Sequence, residues 1–136
     1  MQHWFGWLLG PELLWICTYA VARWLVHGNS PPTELGSQRL ERWTILVPCA
    51  AVALSFVWCA LLRTSRWGAL ARLLLSGAVG VCIVTLTMVG GVHYRDSRNA
   101  GLLALWFLAL MASAGLLLIG TLVTGLALVL AQRRGN

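Results

Sequence analysis

Four long apolar stretches occupy most of this 136-residue chain and limit its fold more than any other feature. They cover roughly residues 4–26, 43–62, 69–92 and 101–131. Each is long enough for a helix that crosses a bilayer, which needs about 17–25 residues. The connections between them are mostly short, which favours antiparallel neighbours. The sequence therefore predicts an all-α, polytopic membrane protein, in which a single domain of four transmembrane helices forms an antiparallel, up-down bundle.

The composition supports this fold class and excludes others. Hydrophobic residues make up 59% of the chain and charged residues only 10%, whereas a soluble domain carries about 25% charged residues. The four spans leave no room for a soluble catalytic module, so we expect no enzymatic activity. The net charge of +6 comes from arginines that flank apolar segments. Because such arginines can meet lipid phosphates, we expect the lipid bilayer rather than nucleic acid as a partner.

The cysteines do not suggest a metal site or a disulfide framework. None forms a CxxC pair, and all lie inside apolar stretches. We interpret them as small apolar packing residues; they are Cys17, Cys49, Cys59 and Cys82.

The connections give a weak indication of orientation. The longest is interrupted by two prolines, and we expect residues 33–42 to form a short surface helix that leads into the second span. Basic residues are equally numerous on the two sides, as in a dual-topology protein, but the acidic Glu34, Glu41 and Asp96 share one side. We therefore predict that both termini lie on the other side, in the cytoplasm of a bacterium, with the chain in the inner membrane.

Glu12 is the most informative polar residue. A carboxylate in hydrocarbon costs several kcal/mol unless it is protonated or paired, so Glu12 should face the interior of the bundle. At about 100° per residue, Tyr19 and Arg23 fall within about 20° of Glu12, and His27 falls within about 60°. We expect this polar stripe to face protein or water rather than lipid.

Two roles are open for Glu12. In the structural role it pairs with Arg72, which enters the third span from the same side of the membrane. In the functional role it exchanges protons and so couples transport or relays charge. The adjacent Gly10-Pro11 predicts a kink or a new helix start, because proline lacks the backbone donor.

Two histidines raise a further possibility. His27 and His93 end the first and third spans on the same side of the membrane, where they could bind a b-type haem as axial ligands. Solvated histidines at the interface are the alternative, and no other cofactor or metal is expected.

Small residues recur at four-residue spacing, which lets helix backbones approach closely within the chain or against other chains. These pairs are Gly6/Gly10, Ala51/Ser55, Ser76/Gly80, Ala109/Ser113 and Thr121/Gly125.

Three functions remain open from the sequence. The first is a small integral subunit, or an assembly or stabilising factor, of a larger membrane protein complex, with other integral membrane subunits as partners. The second is a proton-coupled transporter or channel that acts as a homo-oligomer through Glu12. Four short helices with one glutamate early in the first resemble the small multidrug resistance family, which implies this second function; the resemblance is confined to the helix number and Glu12. The third is an electron carrier that holds haem b between His27 and His93.

Overall fold

The computed structural model describes residues 10–61, 67–94 and 101–135 and shows the predicted all-α fold. Four helices follow one another along the chain: α1 (Pro11–His27), α2 (Glu34–Leu61), α3 (Trp67–Gly90) and α4 (Leu102–Arg134). The part of the predicted first span that precedes Gly10, including Gly6, lies outside the described residues.

Three of these helices are long and apolar enough to cross a membrane: α2 with 28 residues, α3 with 24 and α4 with 33. The described part of the first span, α1, has 17 residues. At 1.5 Å per residue α4 is about 50 Å long, which exceeds the roughly 30 Å of hydrocarbon in a bilayer. As expected from its length, α4 must tilt or extend beyond the hydrocarbon region.

Helix α2 begins earlier than the sequence pattern predicts. The backbone N–H of Gly36 donates to Thr33 Oγ1 at 3.1 Å, so Thr33 satisfies one of the free donors of the first turn. From Glu34 the helix continues without interruption to Leu61, through the buried Pro48. The helix expected over residues 33–42 is therefore present, but as the first part of α2 rather than as a short helix of its own.

Contacts between the helices give the up-down arrangement. Glu12 meets Arg72 near the starts of α1 and α3, and Asn29 meets Gly91 just beyond their ends, so these two helices run parallel. Helix α4 runs antiparallel to α3. Near the start of α4, Trp106 donates a hydrogen bond to Thr85, which lies near the end of α3. Further along α4, Leu117 packs over Gly77, earlier in α3.

Helices α2 and α3 occupy the centre of the bundle. Each contacts all three other helices, while the described parts of α1 and α4 do not contact each other. The small residues predicted to allow close packing include Ala51, Ser55, Gly80, Ala109 and Ser113, all of which are buried within this chain. Their close spacing therefore serves, at least in part, the packing of the chain against itself.

Candidate functional site: an ion pair and the groove between α1 and α3

An ion pair joins α1 to α3 at one end of the bundle. Arg72 Nε donates to Glu12 Oε1 at 2.6 Å, a short, charge-assisted hydrogen bond. The two side chains are 34% and 43% exposed, respectively, so the pair lies at the edge of the bundle rather than in its centre. The predicted contact between Glu12 and Arg72 is present. The second carboxylate oxygen, Oε2, is buried and has no hydrogen-bond partner among the residues that the structure describes.

Local sequence explains how Glu12 is placed. Gly10 is extended, with φ −72° and ψ 176°, and α1 begins at Pro11. Of the two predicted alternatives, a kink or a new helix start, the structure has the helix start. Proline suits the first helical position, because its fixed φ matches the helix and its missing N–H would have had no partner. Glu12 then occupies the first turn, where the partial positive charge of the helix end favours a carboxylate.

Gly10 has a second role that the sequence did not predict. A Cβ atom at this position would collide with Glu12 Oε2 and would lie 2.7 Å from Arg72 Nη2. The absence of a side chain at residue 10 therefore provides the space in which the two charged side chains meet. Glycine therefore leaves room for the ends of two flexible side chains rather than serving an unusual backbone angle.

A groove follows the outer side of the α1–α3 pair. One part, of about 600 Å³, is lined mostly by apolar side chains. They come from the first half of α1, around Trp15, and from the second half of α3, as far as Thr87. A second part, of about 570 Å³, runs from Gly68 past Arg72. Glu12 lines both parts, as do Ser76 and Val79. We call these two parts together the α1–α3 groove.

The polar stripe on α1 lies mainly on the outer side of the bundle. The side of α1 that faces the bundle is formed by Pro11, Trp15 and Ala22, all buried. Tyr19 and Arg23 are exposed on the outer side, and Tyr19 lines the α1–α3 groove. The physical reason is the fit of the Trp15 indole into the space over Gly80, where a Cβ would overlap the ring. This contact fixes the rotation of α1 and turns the stripe outward, leaving only Glu12 partly covered.

A buried polar junction closes the opposite end of the bundle. Asn29 is 7% exposed, and its Nδ2 donates to Ser37 Oγ at 3.3 Å and to the carbonyl oxygen of Gly91 at 3.1 Å. Ser37 Oγ donates to the carbonyl oxygen of His93 at 2.8 Å and accepts from its N–H at 3.3 Å. Asn29 Oδ1 accepts from the N–H of Thr33. The junction therefore ties together the α1–α2 connection, the first turn of α2 and the residues that follow α3.

This junction was not predicted from the sequence. One signal was an asparagine after a helix end, which usually indicates a solvated turn. Gly36 supplied a second clue, since a Cβ there would collide with Asn29 Oδ1. Neither residue indicates by itself which segments it will join.

The two histidines are both at the surface. His27 is the last residue of α1 and His93 lies three residues beyond the end of α3, and both are exposed. Neither lines the α1–α3 groove. Among the described residues, no three His, Cys, Asp or Glu side chains are grouped as a metal site would need.

The cysteines differ from one another in their surroundings. Cys17 and Cys82 are exposed on the bundle surface, whereas Cys49 and Cys59 are half-buried. Cys49 Sγ lies 3.9 Å from Ser113 Oγ, between α2 and α4. This contact agrees with a packing role for Cys49.

Comparison with known proteins gives no relative that would identify the site: no protein-family profile matches the chain, and neither a curated protein nor a solved structure is significantly similar to it.

Proposed function

We propose that this chain is a small integral membrane subunit, or an assembly or stabilising factor, of a larger membrane protein complex, without catalytic activity of its own. We place it in a bacterial inner membrane, with both termini in the cytoplasm. The three apolar helices long enough to cross a bilayer support the membrane location.

The observation that carries the proposal is the ion pair between Glu12 and Arg72. The carboxylate, which was the strongest sequence candidate for chemistry, is held by a guanidinium from another helix in a space left by Gly10. A carboxylate in such a contact fixes the relative position of two helices. The arrangement favours the structural role of Glu12, and with it a protein whose task is to present a fixed surface to other membrane subunits.

Isolation of the chain from native membranes tests this proposal. A tagged chain is extracted in a mild detergent, and the chains that co-purify are identified and quantified. We expect other integral membrane proteins at a fixed stoichiometry. The proposal is wrong if the chain is isolated alone, or only with copies of itself.

A proton-coupled homo-oligomer is the second candidate. It is supported by Glu12 Oε2, which has no hydrogen-bond partner within the described part of the chain, and by the position of Glu12 on the groove. In reconstituted vesicles this function predicts proton flux that Glu12→Gln abolishes and Glu34→Gln retains. Glu34 is the matched control because it is also an acidic residue in a first helical turn, and it is exposed.

A further inference from the structure

The length of the α1–α3 groove matches that of a membrane-spanning helix. Its lining extends along α3 from Gly68 to Thr87. At 1.5 Å per residue this distance is about 28 Å, close to the roughly 30 Å of hydrocarbon in a bilayer. A lipid acyl chain occupies only one leaflet, about half of that thickness. A single transmembrane helix therefore fits the groove better than one lipid does.

The surface of the groove also suits a helix. A Cβ at Gly68 would meet no atom within 4 Å, and the neighbouring Ala71 is small and exposed. Small residues of this kind let two helix backbones approach closely in a membrane. Tyr19 adds a hydroxyl group that can form a hydrogen bond with a neighbouring helix. A lipid tail has no acceptor for such a bond.

The charges on this side of α1 indicate which charge a helix docked in the groove should carry. Arg23 lies on the same side as Glu12 and Tyr19 and is exposed, and it has no acidic partner among the described residues. A charged side chain at membrane depth normally pairs with an opposite charge. The carboxylate of Glu12 on this side is already bound by Arg72.

These charges argue against a second copy of this chain as the occupant. A copy that docked through the same groove in the same orientation would bring a second Arg23 close to the first. A copy in the opposite orientation would offer Glu12, whose carboxylate is already paired with Arg72. Docking of a copy through the same groove therefore places either a like charge or an already paired carboxylate opposite Arg23.

We propose that the α1–α3 groove binds one transmembrane helix of a different subunit, and that this helix carries an aspartate or glutamate opposite Arg23. The inference rests on the proposed function, because it names the surface through which this chain joins its complex. Tyr19 and Ser76 line the same groove and provide polar contacts along the docked helix.

Site-directed photo-crosslinking in intact native membranes tests the proposal. A photoreactive amino acid replaces Leu75, Val79 or Ile83 in the groove, one at a time; all three side chains are exposed, so these substitutions should not disturb the core. Ile119 and Leu122 of α4 are control positions, since they are exposed on a helix that does not contact α1. We expect the three groove positions to label one helix of one other protein, at successive turns.

The charge is tested in the same assay. Arg23→Glu should lower the crosslinking yield at Val79 about fivefold, the change expected from losing about 1 kcal/mol. Replacement of the acidic residue on the labelled helix by arginine should restore the yield. Arg39→Glu, at an exposed arginine of α2, is the matched control and should leave the yield unchanged.

The remaining outcomes separate this inference from the proposed function. Labelling of another protein from the α4 positions, with only lipid labelled from the groove, overturns the groove as docking surface and leaves the proposed function standing. Groove labelling of a second copy of this chain overturns the inference, as does a labelled helix that carries no acidic residue. If no position labels a protein and the chain purifies alone, both proposals fail.

Discussion

The ion pair between Glu12 and Arg72 predicts a specific pattern in a double-mutant cycle. Glu12→Gln and Arg72→Gln each remove a charge-assisted hydrogen bond, whose loss costs about 1.5–3 kcal/mol. Because both side chains are about one-third exposed or more, we expect each single substitution to lower the free energy of unfolding by about 1 kcal/mol, below that range. The double substitution should cost about 1 kcal/mol less than the sum of the two.

The control and the charge swap make the test sharper. Glu34→Gln changes a first-turn glutamate of α2 that has no arginine partner among the described residues, so it measures the interaction with the helix end alone, about 0.5 kcal/mol. The swap Glu12→Arg with Arg72→Glu should recover most of the lost stability. It should fall short by about 0.5 kcal/mol, because an arginine in the first turn of α1 is repelled by the positive helix end.

Reversible unfolding in mixed micelles, followed by tryptophan fluorescence, measures these free energies. If the double substitution costs the sum of the two single ones within about 0.5 kcal/mol, the side chains are not coupled. The structural role assigned to the pair is then wrong.

The same unfolding assay tests three other contacts. Gly10→Ala should destabilise the bundle by about 0.5–1 kcal/mol, because alanine is a poorer helix cap and its methyl group displaces the flexible ends of the ion pair; Gly68→Ala, whose Cβ meets open space, should be neutral or stabilise by up to about 1 kcal/mol. Ser37→Ala should cost about 1–3 kcal/mol by leaving buried polar groups without partners, and hydrogen exchange should rise first around residues 29–37 and 91–93. Thr85→Val should cost about 0.5–1.5 kcal/mol, since Trp106 Nε1 loses its acceptor. An unchanged unfolding free energy in any of the destabilising variants would contradict the contact it removes.

Hydrophobic length was enough to predict the bundle, because bilayer thickness sets the size of each span regardless of its detailed sequence. The contact between Glu12 and Arg72 was predictable for a related reason. In an up-down bundle the first and third helices run parallel, so charges that enter from the same side lie at equal depth, and opposite charges at that depth tend to pair.

The rotation of α1 was not predictable from its own residues. A polar stripe indicates only that one side avoids lipid, and both the bundle interior and a partner surface satisfy that condition. The choice between them depends on the fit of Trp15 over Gly80, which belongs to another helix. The helical stretch that begins near Thr33 was expected, but its continuity with the second span was not.

The junction around Asn29 has a consequence for how the chain can vary. Its bonds to the residues after α3 are made to backbone atoms: the carbonyl oxygens of Gly91 and His93 and the N–H of His93. The imidazole of His93 takes no part in these bonds, so many side chains at that position would preserve the junction. Deletion or insertion of a single residue between Gly91 and His93 would instead shift the bonded atoms of His93 out of register with the Gly91 carbonyl. Evolution can therefore change the identity of residue 93 more freely than the length of this segment.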